Sequence, residues 1–181
     1  MKKLILAIAA LLIIQSADAQ RYMTRTGRIT FFSSTPLENI EAINNEASCV
    51  MDAATGEVAF QVPIRSFRFE KALMQEHFNE NYMESDKFPK ADFRGKVTDI
   101  SNVNFSKNGV YQVHVSGKMT IHGVTRDVAT PGPITLKDGT ATAAAKFKIR
   151  PADYDIKIPS VVAGKIAEEI EVTVNSVLSA K

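Results

Sequence analysis

The sequence predicts an all-β domain with one or two short helices, and two kinds of observation support this fold class. Apolar and polar residues alternate along most of the chain, which is the period of a half-buried strand. Turn signals such as Lys107-Asn108-Gly109 and Lys137-Asp138-Gly139 separate the alternating runs, and Asn-Gly and Asp-Gly pairs favour hairpins. About eight such runs indicate an eight-stranded antiparallel β-barrel, and a two-sheet sandwich fits the pattern almost as well.

Residues 1–19 are predicted to be a secretory signal peptide. Lys2-Lys3 gives a charged start, Leu4–Ile14 is an unbroken apolar run, and Ala17-x-Ala19 has the small residues of a cleavage site. The apolar run is 11 residues long, which is too short to span a bilayer. Residues 20–181 are therefore expected to form a single domain that is periplasmic or secreted.

The strands are placed by the alternation. In Gly56–Arg65, for example, Val58, Phe60 and Val62 fall on one face, and Pro63 indicates an edge or a bulge nearby. The triplets Ala54–Gly56 and Pro131–Pro133 are predicted as turns. In chain order, the predicted strands cover Tyr22–Ser33, Ile40–Asp52, Gly56–Arg65, Ala91–Ile100, Val110–His122, Val124–Thr130, Thr140–Ile149 and Ile166–Leu178.

The segment Glu70–Met83 breaks the alternation and is predicted to be a helix. Its residues Met74, Phe78 and Tyr82 recur at i, i+4 and i+8, which is the apolar stripe of a helix. The helix is expected to end before Phe88-Pro89, because the residue before a proline disfavours helical backbone. A second short helical or irregular piece is predicted before the last strand.

The predicted inner faces of the strands are apolar and carry several small residues. Ala141, Ala143 and Ala145 face inward on one strand, and Gly95 and Gly117 do so on two others. These small residues fit either close packing against bulky neighbours or an open apolar cavity. For the open cavity, the predicted ligand-binding residues are Phe60, Val62, Phe93, Val113, Val115, Met119, Phe147 and, on the helix, Tyr82.

Composition and motifs give little support to catalysis. The net charge is +2, so no nucleic-acid partner is predicted. The one cysteine, Cys49, cannot form an intramolecular disulfide and is interpreted as a small buried hydrophobe. The histidines lack the spacing of a zinc site, and no metal and no catalytic residue is predicted. By alternation, His114 and His122 point outward, whereas His77 on the helix is a candidate for binding a polar head group beside Tyr82.

Two long stretches resemble one known family. They are His77–Gly95, "HFNENYMESDKFPKADFRG", and Tyr111–Val128, "YQVHVSGKMTIHGVTRDV". They are similar to the histidine-containing helix, the Phe-Pro…Phe run and the strand–turn–strand motif of the YceI-like lipid/polyisoprenoid-binding family. The chain departs from that family where Glu70 and Lys71 replace a common Arg-Asp pair, and where its first strand lacks a common histidine.

The resemblance implies a lipocalin-like eight-stranded antiparallel β-barrel whose apolar pocket holds an isoprenoid quinone or a polyprenyl lipid. It implies no catalytic residue, no metal and no other cofactor. The expected partner is a hydrophobic small molecule or lipid, and a transient membrane contact and a homodimer are left open. Two alternatives also stay open: an enzyme acting on a lipid-like substrate with His122 or His77 as base, and an envelope stress-related protein with a filled barrel that acts through its surface.

Overall fold

Nine β-strands make up most of residues 20–181, the part of the chain that this computed structural model describes. The predicted signal peptide lies outside the described residues. One α-helix, α1 (Ala72–His77), continues into a π-helical turn at Phe78–Tyr82. Short 3₁₀ turns cover Ile64–Ser66, Ile100–Asn102, Pro151–Tyr154 and Ser160–Val162. The strands are β1 Arg21–Ser34, β2 Asn39–Asp52, β3 Glu57–Pro63, β4 Arg68–Phe69, β5 Lys90–Val97, β6 Gly109–Ile121, β7 Val124–Lys137, β8 Thr140–Ile149 and β9 Ile170–Ala180.

Eight of these strands close into an antiparallel barrel. Their order around the barrel is β1-β9-β8-β7-β6-β5-β3-β2, and β2 pairs again with β1. The two-residue β4 pairs with Ala42 and Ile43 of β2, outside the stretch of β2 that pairs with β3. The closed ring confirms the predicted barrel. It excludes the two-sheet sandwich, because the two sheets of a sandwich do not join into one ring of paired strands.

The two ends of the barrel differ in how they are filled. The closed end carries the β2–β3 and β7–β8 turns, and its interior is packed with buried apolar side chains. Tyr22 and Phe105 stack there with ring centroids 5.2 Å apart, and Leu178 and Met51 are almost fully buried beside them. The open end carries α1, the 35–38 loop, the β6–β7 turn and the 150–169 segment. A ligand could therefore enter the barrel at the open end.

One predicted turn is wrong. Pro131-Gly132-Pro133 lies inside β7, where it pairs with residues 112–114 of β6. The prolines fit because the β7–β8 ladder ends at the Ile134–Ala143 pair, so no ladder hydrogen bond on that side is lost.

The other turn predictions are confirmed in part. Asp138 and Gly139 have φ of +48° and +79°, the left-handed pair of a tight hairpin between β7 and β8. Asn108, by contrast, ends the longer connection from β5 and forms no hairpin of its own. Its side-chain oxygen instead accepts a hydrogen bond from the backbone N–H of Asp138 at 3.0 Å. This asparagine thus supports the neighbouring hairpin.

The predicted helix is present but shorter than its pattern. It begins at Ala72, not at Glu70, and its last turn is π-helical. The last strand likewise begins at Ile170 and not at Ile166. Just before it, the backbone N–H of Ala167 donates to the buried Ser33 Oγ at 2.8 Å, which ties this segment to the end of β1.

Cys49 is buried in the core of the closed end, as predicted. Burial raises the pKa of its thiol to about 12, because the thiolate would lose its hydration. We expect the thiol to remain protonated and unreactive toward a thiol reagent at about pH 8 in the folded protein, and to react rapidly once denaturant unfolds it. Stoichiometric labelling at the same pH without denaturant would contradict the packing of the closed end.

Candidate binding cavity

An apolar cavity of about 570 Å³ runs inside the barrel. Its floor lies against the packed core of the closed end, at Met51, Val58 and Val113, and it extends to α1 and the 150–169 segment at the open end. All eight residues that the sequence predicted as ligand-binding line this cavity: Phe60, Val62, Tyr82, Phe93, Val113, Val115, Met119 and Phe147. Their contact with a ligand stays a prediction.

The small inward residues have two different structural roles. Ala143 and Ala145 line the cavity, and their short side chains leave its volume free. Gly95 and Gly117, in contrast, face each other across β5 and β6. A Cβ atom on Gly117 would lie 2.4 Å from the carbonyl oxygen of Arg94, so these glycines permit a close approach of the two strands. The alanines thus create space, and the glycines do not.

A cluster of phenylalanine rings fixes the helical segment over the open end. Phe78, in the π-helical turn, contacts Phe31, Phe67 and Phe69 at centroid distances of 5.0–5.5 Å. These rings come from two separate parts of the chain, since Phe31 lies on β1 whereas Phe67 and Phe69 lie just before and within β4. Tyr82, one turn further along, lines the cavity from the same segment. The helical segment therefore forms part of the cavity wall.

Most of the polar side chains that line the cavity lie near its mouth, and Thr130, in the middle of β7, is an exception. Lys71, at the start of α1, lies 3.1 Å from the carboxylate of Glu38 in the 35–38 loop. His77 and Lys165 also border the cavity at this end. The floor and walls offer apolar groups, so the arrangement suits a molecule with an apolar chain and a polar end near these side chains.

His122 does not line the cavity, which agrees with its predicted outward phase, but other segments cover its side chain. Its backbone forms the tight β6–β7 turn together with Gly123, with φ of +51° and +78°. The side chain is only 10% exposed, and its Nε2 lies 2.8 Å from Glu84 Oε2. Its Nδ1 lies 3.2 Å from the backbone oxygen of Tyr154, and the centroid of its ring lies 4.5 Å from that of Phe88. The histidine thus joins the turn to the segment after the helix and to a 3₁₀ turn.

The connections that His122 makes should stabilise the open end. We expect His122→Asn to lower the free energy of unfolding by about 1–2 kcal/mol, because two hydrogen bonds and an aromatic contact are lost. Asparagine tolerates the left-handed backbone, so the change tests the ring and not the turn. The matched change His114→Asn should have almost no effect, since that side chain is 72% exposed. Equal denaturant midpoints for the two variants would show that the His122 ring does not stabilise the fold.

Two of the three histidines, His114 and His122, do not line the cavity. His122 is outside the cavity lining, and both of its ring nitrogens are occupied. His114 points outward, as predicted, and pairs with Asp99 at 3.1 Å. Within residues 20–181, no three His, Cys, Asp or Glu side chains converge as metal ligands. Among the helices in that same range, none has the length and hydrophobicity needed to cross a membrane.

The closed ring of eight antiparallel strands around an apolar cavity defines a lipocalin-like β-barrel, a class that can hold one small ligand. The chain belongs to the YceI-like domain family, whose model matches residues 18–178, and this confirms the resemblance seen in the two sequence stretches. No curated protein matches the chain.

Solved structures share this fold at low sequence identity. A polyisoprenoid binding domain from Saccharophagus degradans, implicated in plant cell wall breakdown, has a TM-score of 0.78 at 16% identity, covering 89% of this chain and 98% of that chain. BcnA from Burkholderia cenocepacia has a TM-score of 0.69 at 16% identity, covering 84% and 96%. The YceI protein of Campylobacter jejuni has a TM-score of 0.58 at 17% identity, covering 77% and 84%.

Three features of the site escaped the sequence pattern. The phenylalanine cluster joins residues that are up to 47 positions apart, from Phe31 to Phe78, and no local period links them. The role of His122 depends on Glu84 and Tyr154, which approach it only in the folded chain. The mouth brings the predicted helix together with the 35–38 loop and the 150–169 segment, and no local sequence signal places these three side by side.

Proposed function

We propose that the protein binds and carries a ligand with a long apolar chain, an isoprenoid or another lipid, without catalysing a reaction on it. The observation that carries this proposal is the continuous apolar cavity of about 570 Å³ inside the barrel. The description of the Saccharophagus degradans structure as a polyisoprenoid binding domain supports the choice of ligand class. A completely filled barrel, the alternative considered from the sequence, would not have this cavity.

The cavity predicts how affinity should depend on chain length. Each methylene transferred from water gains about 0.8 kcal/mol, so ten methylenes gain about 8 kcal/mol. Association itself costs about 4–15 kcal/mol in lost freedom of motion. Short chains should therefore bind weakly, and affinity should rise with length until the chain reaches the floor at Met51. Isoprenoid quinones and polyprenyl lipids are long enough to benefit.

The distribution of polar groups sets the orientation of the ligand. The apolar chain would extend toward Met51 and Val113, and the head group would remain near Lys71, His77 and Lys165. A buried polar head at the floor would find no hydrogen-bonding side chain and would lose its hydration there. Tyr82, which lines the cavity from the helical segment, is proposed to lie against the part of the chain nearest the head.

We further propose that the protein works in the periplasm or outside the cell after residues 1–19 are removed. The support is the charged, apolar and small-residue order of Lys2-Lys3, Leu4–Ile14 and Ala17-x-Ala19. Fractionation of cells followed by mass measurement of the purified protein tests this, and a cytoplasmic protein of full mass would contradict it.

The binding function is tested by extracting the purified protein with organic solvent and analysing the extract by mass spectrometry. We expect a stoichiometric long-chain lipid, and we expect added isoprenoid quinone to raise the melting temperature of the delipidated protein. An empty extract together with an unchanged melting temperature would contradict the proposal. Chemical change of the bound molecule during incubation would favour the enzyme alternative, with His77 at the mouth as the first residue to substitute.

A further inference from the structure

Three exposed apolar side chains surround the mouth of the cavity. Leu37, in the 35–38 loop, is 72% exposed, Leu73 on α1 is 60% exposed, and Val161 in a 3₁₀ turn is 87% exposed. Single exposed apolar residues are ordinary on protein surfaces, but these three lie on three segments that meet at one end of the barrel. We call Leu37, Leu73 and Val161 the apolar rim.

Contacts place the 35–38 loop beside both of the other segments that carry the rim. Glu38 binds Lys71 at 3.1 Å, which places the 35–38 loop against the start of α1. The side chain of Leu37 also approaches Gly164, with Leu37 Cδ1 3.2 Å from the position that a Cβ would take there. Leu73 and Val162, the neighbour of Val161, both line the cavity itself. The exposed rim therefore passes directly into the apolar interior.

The charges beside the rim include paired carboxylates and lysine amines. Glu38 is paired with Lys71, and Glu169 binds Lys148 and Arg150 at 3.1 and 3.2 Å. These cations lower the pKa of Glu169, so its carboxylate stays ionised and paired. Lysine side chains can lay their apolar stems along an apolar surface and keep the amine at the level of polar head groups. Lys165, which borders the mouth, is placed to do so.

The geometry points to a lipid bilayer surface as the partner of the apolar rim: we propose that Leu37, Leu73 and Val161 insert into the outer part of a membrane and hold the mouth of the cavity against it. Three separate protrusions suit a fluid surface better than a flat protein interface, which needs about 1,000 Å² of complementary area. This inference rests on the proposed function, because a ligand with a long apolar chain resides in membranes and could then move between bilayer and cavity without crossing water.

The test measures binding of the purified mature protein to phospholipid vesicles of about three parts phosphatidylethanolamine to one part phosphatidylglycerol. The rim variant combines Leu37→Ser, Leu73→Ser and Val161→Ser. The matched control combines Val50→Ser, Val110→Ser and Val177→Ser, which remove three exposed apolar side chains from the outer faces of strands. Melting temperatures equal to that of the parent show that both variants keep the fold.

We expect the rim variant to lose about tenfold or more in vesicle affinity and the control to bind like the parent. Equal binding by the rim variant and the parent, an equal loss in both variants, or no binding by the parent would overturn the proposal. So would complete loss of parental binding at about 0.5 M salt, which would indicate a purely electrostatic contact. A parental dimer in light scattering that becomes monomeric in the rim variant, without vesicle binding, would identify a second copy as the partner and also overturn it.

Failure of this inference can be told apart from failure of the proposed function. Ala145→Trp places a large side chain in the cavity and leaves the rim unchanged. If both proposals hold, this variant binds vesicles like the parent but takes up no soluble long-chain fluorescent probe. If the parent takes up the probe and does not bind vesicles, the carrier function stands and the membrane contact is wrong.

Discussion

Ala145→Trp is expected to reduce the affinity for a long-chain ligand by about a hundredfold or more while the barrel remains folded. Ala145 faces inward on β8 and lines the cavity, so the indole would occupy space that the chain needs. Forcing a large side chain into a filled core costs about 1–3 kcal/mol, but here free volume receives it. The measurement is a titration with a fluorescent long-chain fatty acid. Undiminished affinity would show that the ligand does not use the cavity.

The matched control is Ala59→Trp, an outward and exposed position on β3. It should leave the affinity unchanged. Because the natural sequence contains no tryptophan, the emission of each introduced indole reports its own surroundings. The Ala145 variant should emit at shorter wavelength than the control. Similar emission from both would mean that the indole at position 145 is exposed to water and does not fill the cavity. A loss of affinity in that variant would then contradict binding inside the cavity.

Phe78→Ala is expected to lower the free energy of unfolding by about 2–3 kcal/mol and to speed the release of a bound chain. Phe78 contacts three other phenylalanine rings, and these contacts attach the helical segment to the barrel. Removing a largely enclosed aromatic side chain costs about 3–5 kcal/mol when it is fully buried, and Phe78 is half-buried. Denaturant unfolding and stopped-flow displacement of the probe measure the two effects.

The matched control for this change is Phe32→Ala, on the outer face of β1. Phe32 is exposed and lies outside the cluster around Phe78, so its loss should cost less than about 1 kcal/mol. Equal destabilisation by the two changes would contradict the anchoring role of the cluster. Destabilisation by Phe78→Ala with an unchanged release rate would show that the helical segment does not limit exit from the cavity.

The inward residues were predictable because the period of a strand is two. On β6, the alternation from Val113 to Met119 placed the apolar residues inside, and on β8 it did the same for Phe147. Closure into a barrel does not follow from this period, since it depends on the pairing of β1 with β9, which is distant in sequence. Alternation alone describes a face of a sheet and not the shape of the sheet.

Other features depend on contacts that no local pattern contains. Pro131 and Pro133 look like turn residues, but the shortness of the β7–β8 ladder lets them remain in a strand. His122 has the outward phase of its strand, yet segments folded from elsewhere cover it. The alanines of β8 and the glycines of β5 and β6 are equally small in the sequence. Only the positions of neighbouring backbones show that the alanines leave space.

The central claim is that the barrel interior holds an apolar chain, and a crystal structure of the protein purified from its native host tests it most directly. We predict continuous elongated electron density from the mouth near Lys71 and Lys165 to the floor at Met51, with contacts to Phe60, Phe93 and Phe147 along its length. An interior in which the side chains have closed the space, or which contains only separate water molecules, would contradict the account.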